Sequence, residues 1–181
     1  MAYSPELLAR AAKIKLLLMD CDGVMTDGRI FFVPMPDGSV SETKCFDCHD
    51  GISLSWAHRY GIDTGIITGR GGFAVQERVR SAKMKYLFEG RTDKLPLLEE
   101  IVKESGHPYE EIAFVGDDIQ DLPILRRVGL SAAPQNARPT VLDAVHYRIP
   151  TVGGSGAIRA VVELIMEAQG HWEEVQASYD I

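Results

Sequence analysis

The sequence contains no apolar run long enough to span a bilayer, no excess of basic residues, and only three cysteines. A membrane helix needs roughly 20 consecutive apolar residues. The strongest candidate, "KIKLLLM" at 13–19, is short, follows polar and acidic residues and runs into Asp20 and Asp22. It reads as neither leader nor span, so the expectation is a cytoplasmic protein with no membrane partner. Lysine and arginine total 19 against 26 aspartates and glutamates, a net charge of −7. Nucleic acid is therefore not an expected partner. A small anionic substrate remains compatible if its site is locally basic. The cysteines are Cys21, Cys45 and Cys48, the last two within "CFDCH", a pattern shared by haem attachment, redox dithiols and half of a zinc site. Haem is attached outside the reducing cytoplasm, where thiols stay reduced. A thiolate zinc site needs two further soft ligands at short spacing, and His58, His107, His146 and His171 do not provide it. The cysteines read as free thiols. No repeat, low-complexity stretch or Pro/Gly/Ser-rich linker divides the chain.

What is present fits one globular domain over residues 1–181, with 45% hydrophobic and 25% charged residues. Short apolar runs alternate with amphipathic stretches. "SPELLARAA" opens with a Ser cap and Pro at the first helical position, and "KIKLLLM" follows as a buried strand. "RIFFVPMPDGSVSETKCF" holds two β-rich runs around a Pro/Asp-Gly turn and predicts a hairpin flap over about 29–46. Asp50 is expected to cap "GISLSWAHRY", which Gly61 ends. Strands "DTGIIT", "KYLFE", "EIAFVGD", "GLSAA" and "VHYRI" then alternate with helices "FAVQERVRSA", "DKLPLLEEIVKES", "DLPILRRV" and "GAIRAVVELIMEAQ". This order predicts an α/β fold with a doubly wound, Rossmann-like parallel sheet, whose ligands sit beyond the carboxyl ends of the strands. Trp56 and Trp172 read as core or interface anchors, and "GGSGAIR" as a turn packing the last helix.

Polar residues gather at those carboxyl ends. The first strand enters "DCDGVMTDG", the second ends "IITGR", a helix opens "TDKLPLL", and another strand ends "VGDDIQD". Four junctions thus present Asp20 and Asp22, Thr68, Lys94, and Asp117 with Asp118 and Asp121. Converging carboxylates repel unless a cation joins them, and hard oxygen donors without Cys or His select Mg²⁺. A metal-bound carboxylate, an ammonium and a hydroxyl around one point suit a phosphoryl group, and Asp is itself a competent nucleophile.

These four ordered motifs resemble those of the haloacid dehalogenase-like hydrolase superfamily, over nearly the whole chain. The hairpin, "CFDCHDG", "GLSAAP" and "GGSGAIR...AQG" further resemble its capless subgroup, the 3-deoxy-D-manno-octulosonate 8-phosphate phosphatases. The resemblance implies a Mg²⁺-dependent phosphoric monoester hydrolase with no cap domain, serving lipopolysaccharide biosynthesis. Asp20 would be the nucleophile and Asp22 the general acid and base. Mg²⁺ would be held by Asp20, the Asp22 main-chain carbonyl and Asp117. Thr68 would hydrogen-bond the phosphoryl oxygens, Lys94 would offset negative charge, and Asp118 and Asp121 would support. Gly23, His49, Asp50, Gly51, Gly69, Arg70 and Arg78 would form the substrate-binding set. His49 and Ser55 stand where the subgroup commonly carries arginines, which leaves Arg70 and Arg78 to read the sugar acid.

Two other classes share part of this chemistry. A phosphoryl-accepting receiver places its acidic pair and its phosphorylated Asp on different strands, whereas here both carboxylates of Asp-x-Asp follow the first. A non-catalytic phosphoryl-binding or regulatory relative would have lost acidic positions that all persist here. The substrate stays open between the eight-carbon phosphate and a nonulosonate 9-phosphate. Ile30, Phe31, Phe32 and Val33 on a two-stranded ribbon predict a homotetramer whose subunits cover one another's sites, with the tail at about 171–181 as a further lid.

Overall fold

Ser4 caps the first helix, α1 (Pro5–Ala11), where its Oγ accepts the Leu7 N–H at 3.2 Å and Pro5 begins the turn without needing a donor. The computed structural model describes residues 3–180. After α1 come β1 (Leu16–Met19), β2 (Phe31–Pro34), β3 (Val40–Thr43), α2 (Cys48–Arg59), β4 (Asp63–Ile67), α3 (Phe73–Ser81), β5 (Tyr86–Phe88) and α4 (Leu95–Ser105). The second half adds β6 (Ile112–Val115), α5 (Leu122–Leu125), β7 (Leu130–Ala133), α6 (Pro139–Leu142), β8 (Tyr147–Arg148), α7 (Ala157–Ala168) and α8 (Trp172–Ala177).

Six strands form one parallel sheet in the order β5-β4-β1-β6-β7-β8. The chain leaves β1 toward one edge, then returns to β1's other side with β6, so the switch point lies between β1 and β6. Alternation along each strand feeds two cores. Leu17, Met19, Ile66, Ala113 and Val115 pack with α1, α2 and α7, while Leu16, Leu18, Ile67, Ile112 and Phe114 pack with α4, α5 and α6. With both faces covered, every residue of β1 and β6 is buried, as a doubly wound sheet requires.

β2 and β3 form a separate antiparallel ribbon, Phe31 opposite Thr43 and Val33 opposite Ser41, inserted between β1 and α2. Its turn closes through the Met35 N–H to the Ser39 carbonyl at 2.8 Å, with Gly38 at φ +82°. All four β2 residues are exposed.

Two local expectations need correction. Asp47, not Asp50, caps α2: its Oδ1 accepts the His49 and Asp50 N–H groups, and Asp50 lies inside the first turn. Helices α6 and α8 are too short to display a 3.6-residue period, so the sequence pattern predicts neither. The tail is α8, docked on the chain's own body: Trp172 meets Trp56 edge-on at 5.7 Å and Val175 is buried, so here it covers α2 and α7. Among the described residues, no helix is long and apolar enough to cross a membrane.

Candidate active site

The first strand delivers Asp20, whose N–H bonds the Val115 carbonyl at 2.9 Å and so holds it beside β6 at the switch point. Lys94, at the start of α4, reaches under it through a fully buried side chain. Its Nζ lies 2.8 Å from Asp20 Oδ1 and 2.7 Å from Asp121 Oδ1. Asp121 turns its other oxygen to the Asp117 and Asp118 N–H groups at 3.0 and 3.3 Å. One buried ammonium thus joins two loops, and each of its carboxylate partners offsets the cost of keeping it out of water. The lysine's affinity for its proton is raised by those two anions against the opposing effect of burial.

Above this pair lies a cavity of about 460 Å³ lined by Asp20, Asp22, Thr68, Gly69, Arg70, Thr92, Asp117, Asp118 and Gln120. The fold therefore brings together, from the carboxyl ends of β1, β4 and β6 and the loop before α4, most of the residues singled out in sequence. Thr68 is held in a tight turn: its Oγ1 accepts the Arg70 N–H at 3.2 Å and donates to the Arg70 carbonyl at 3.1 Å. Asp118 lines the cavity and accepts the Ile119 N–H at 2.7 Å as a cap.

Gly23 follows the acidic pair at φ +87°, and a Cβ there would sit 2.3 Å from Asp117 Oδ2. Only glycine permits both that backbone and that approach. Oxygens of Asp20, Asp117 and Asp121 lie within 4.8 Å of one another. Burial first, then the neighbouring charges of Asp20, Asp121 and Asp118, pushes the Asp117 carboxyl up to about 7. Asp20 rises to about 6, again mainly by burial, despite Lys94 beside it. Such a set has unbalanced negative charge and only hard oxygen donors, which fits a divalent cation such as Mg²⁺. Asp121 spends both oxygens on Lys94 and backbone amides, which leaves Asp20 and Asp117 as the two of these three carboxylates that line the cavity. Among the described residues no donor takes the Asp22 carbonyl.

The expected substrate set divides. Gly69 and Arg70 line the cavity; Gly23, His49, Asp50, Gly51 and Arg78 are not among its lining, although Gly23 abuts Asp117, which is. The His49 side chain is 72% exposed beside Asp47. Asp50 is buried, with Oδ1 accepting the Arg159 N–H at 2.8 Å at the start of α7, because the first turn of α2 packs there. Arg78 donates to the Asp47 carbonyl at 3.1 Å and stacks 5.3 Å from the Phe46 ring. Gly51 leaves room for that guanidinium, since a Cβ would come within 2.9 Å of its Nη1. Within one subunit Asp50, Gly51 and Arg78 build the joint between α2, α3 and α7, and His49 stands in solvent at its edge.

Sequence reasoning missed Lys44 and Asn136. Lys44 Nζ donates to both oxygens of Asp22 at 2.6 and 2.8 Å. Asn136 donates to the Gly23 carbonyl at 2.9 Å and accepts the Gly153 N–H at 2.6 Å, bracing the loop after β1. Asn136 follows the apolar run of β7, the same strand-end signal that marked the acidic residues. Lys44 carries no comparable mark.

Comparison with known proteins agrees with this geometry. Residues 81–161 match the family model for haloacid dehalogenase-like hydrolases. The chain is 34% identical to the 3-deoxy-D-manno-octulosonate 8-phosphate phosphatase of Salmonella typhimurium over 173 residues, covering 96% of this chain and 90% of that one. The crystal structure of the Yersinia pestis enzyme of that name superposes with a TM-score of 0.89 at 36% identity, over 94% of this chain and 90% of that one. A Moraxella catarrhalis 3-deoxy-D-manno-octulosonate 8-phosphate phosphatase, solved with magnesium, phosphate and the sugar acid KDO, superposes with a TM-score of 0.92 at 33% identity, over 98% of this chain and 99% of that one. The sheet order, the inserted hairpin and full-length likeness at this level place the chain among the haloacid dehalogenase-like hydrolases, in the family of 3-deoxy-D-manno-octulosonate 8-phosphate phosphatases, and make it a phosphoric monoester hydrolase.

Proposed function

We propose that residues 1–181 form a single phosphatase domain that hydrolyses 3-deoxy-D-manno-octulosonate 8-phosphate through an aspartyl phosphate, with Mg²⁺ held by Asp20, the Asp22 carbonyl and Asp117. The observation that carries this reading is the convergence of Asp20, Asp22, Thr68 and Asp117 on one cavity, with Lys94 beneath the first. The Moraxella relative was solved with the corresponding metal, phosphate and sugar acid, which supports the choice of substrate. Bound magnesium supplies positive charge against the phosphoryl oxygens.

Asp20 stays ionised at neutral pH even at about 6. Its free carboxylate oxygen attacks phosphorus while the bond to the sugar oxygen breaks, and that oxygen takes a proton from Asp22. Asp22 then removes a proton from water, whose oxygen attacks the same phosphorus and releases phosphate and free Asp20. Lys94 fixes the nucleophile's orientation by occupying one of its oxygens. Thr68 and the backbone of its turn face the phosphoryl group, and Arg70 provides a fork for the substrate carboxylate. Asp118 and Asp121 act from beside and below. His49, Asp50, Gly51 and Arg78 shape the approach from the α2 side.

Assembly follows from the hairpin. Phe31, Phe32, Val33 and Val40 are 52%, 66%, 43% and 61% exposed in one subunit, which is costly on an isolated ribbon. Four copies pairing through these strands would bury them and shelter each site, giving a homotetramer.

The test is phosphate release from eight- and nine-carbon keto-sugar acid phosphates with Mg²⁺, using wild type and Asp20→Asn. The expected result is preferred turnover of the eight-carbon ester, abolished in Asp20→Asn and by chelator, with activity restored when Mg²⁺ is returned. Preference for the nine-carbon ester would reassign the substrate. Near-normal turnover by Asp20→Asn would overturn the covalent mechanism.

A further inference from the structure

Two lysines divide the Asp-x-Asp pair between them. Lys94, from the body of the domain, holds Asp20; Lys44, at the base of β3, holds Asp22. The second contact joins residues 22 apart through an ammonium 2.6 and 2.8 Å from the two oxygens. The Lys44 side chain is 2% exposed, against 23% for Asp22. Lys44 is absent from the cavity lining, whereas Asp22 is part of it. The lysine therefore holds both carboxyl oxygens from outside the cavity lining. Among the described residues the Asp22 side chain has no other hydrogen-bond partner. Two positions along β3, Glu42 puts Oε1 3.7 Å from Lys44 Nζ and Oε2 3.6 Å from Arg70 Nη1, so the hairpin's base touches both the acid and the arginine of the cavity.

We propose that Lys44 is a positioning residue for proton transfer, fixing the Asp22 carboxyl within reach of the leaving oxygen and thereby setting how well the enzyme cleaves esters of poor leaving groups. This rests on Asp22 being the general acid. Without Lys44 the side chain turns freely into the cavity, and the proton arrives from a scatter of orientations. Misplacing a proton donor by about 1 Å costs on the order of a hundredfold. The effect falls only on bonds that need protonation as they break. An alkoxide leaving group does; a nitrophenolate leaves as a stabilised anion and does not.

The experiment compares kcat/KM, which reports the step that breaks the ester bond, for three substrates: the eight-carbon sugar acid phosphate, ribose 5-phosphate as an alkyl ester without a carboxylate, and p-nitrophenyl phosphate. Lys44→Met, which keeps the apolar stem, should lose roughly ten- to a hundredfold on both alkyl esters and less than about threefold on the aryl ester. Lys44→Arg should restore most of the loss. Equal losses on all three would show a general structural or phosphoryl-binding role, and a loss confined to the sugar acid would make Lys44 a carboxylate reader; either overturns the proposal, as does no loss at all. Asp22→Asn serves as the reference. If it shows no bias between alkyl and aryl esters, the assignment of the acid itself fails. If it shows the bias and Lys44→Met does not, only the role of Lys44 fails.

Discussion

Asp121→Asn keeps the shape of a fully buried side chain and changes one thing, the number of acceptors it offers. In the native fold Oδ1 receives the Lys94 ammonium at 2.7 Å, and Oδ2 receives the N–H groups of Asp117 and Asp118 at 3.0 and 3.3 Å. Asparagine supplies one oxygen and one NH₂. Either orientation aims a donor at donors: at the ammonium, or at two backbone amides. The first loses a charge-assisted hydrogen bond of about 1.5–3 kcal/mol, and the second strands two buried N–H groups at about 1–3 kcal/mol each. In both cases Asp20 is left as the only anionic partner of Lys94, and breaking a buried pair costs about 3–5 kcal/mol. We take about 3–5 kcal/mol as the total, since these terms describe the same event. A domain of this size loses about 2–4 °C per kcal/mol, so the melting temperature should fall by roughly 6–20 °C. Urea and thermal unfolding followed by far-ultraviolet circular dichroism measure it. Lys94→Met and the double variant complete a cycle, in which the two losses should fall short of additivity by about 1 kcal/mol or more. A loss below about 1 kcal/mol, or additive losses, would refute the idea that one buried ion network ties α4 to the loop after β6.

Three more outcomes are expected. Burial pushes the Asp50 carboxyl from 3.8 up to about 6, so the stability of its neutral form is complete below the lower value and lost as pH rises through the upper. Asp50→Asn should therefore gain on wild type between pH 4 and pH 8 by on the order of 2 kcal/mol in urea unfolding, and an offset that does not change with pH would refute this. Arg70→Ala should raise KM for the sugar acid phosphate about ten- to a hundredfold while sparing p-nitrophenyl phosphate; equal losses on both would place Arg70 at the phosphoryl group instead. Phe31→Asp with Phe32→Asp should sediment as a smaller species with impaired turnover of the large substrate, and a wild-type chain fully active as a monomer would contradict the shared-site reading.

The parts of this molecule legible in sequence are those where a short apolar run ends in a polar residue. β1, β4 and β6 announce themselves as buried runs; Asp20 and Thr68 follow the first two directly and Asp117 follows the third after one glycine, because parallel strands open their carboxyl ends onto a single crevice. What was not legible depends on distance. Asp47 and Asp50 are both competent caps, and the choice between them is made by α7, whose Arg159 N–H claims Asp50 from 109 residues away. Lys44 ends a strand of mixed polarity with no period to mark its direction, and only the folding back of the hairpin base brings it to Asp22. The short helices α6 and α8 take their stability from packing of Val141 and Val175 into the cores, which no local pattern reveals.

The hairpin is both an exposed surface and the source of Lys44. Mechanically it is a lever. Its tip, around Met35 to Ser39, stands in solvent, and its base carries the cation that holds Asp22. If copies pair through the outer strand as proposed, a partner that seizes it would stiffen Asp22 at the other end without touching the cavity. Subunit dissociation on dilution would then register as a shift in chemical preference, with alkyl esters failing first and aryl esters last, while the sheet beneath stayed folded. In such an arrangement quaternary structure tunes which bonds the site is able to break.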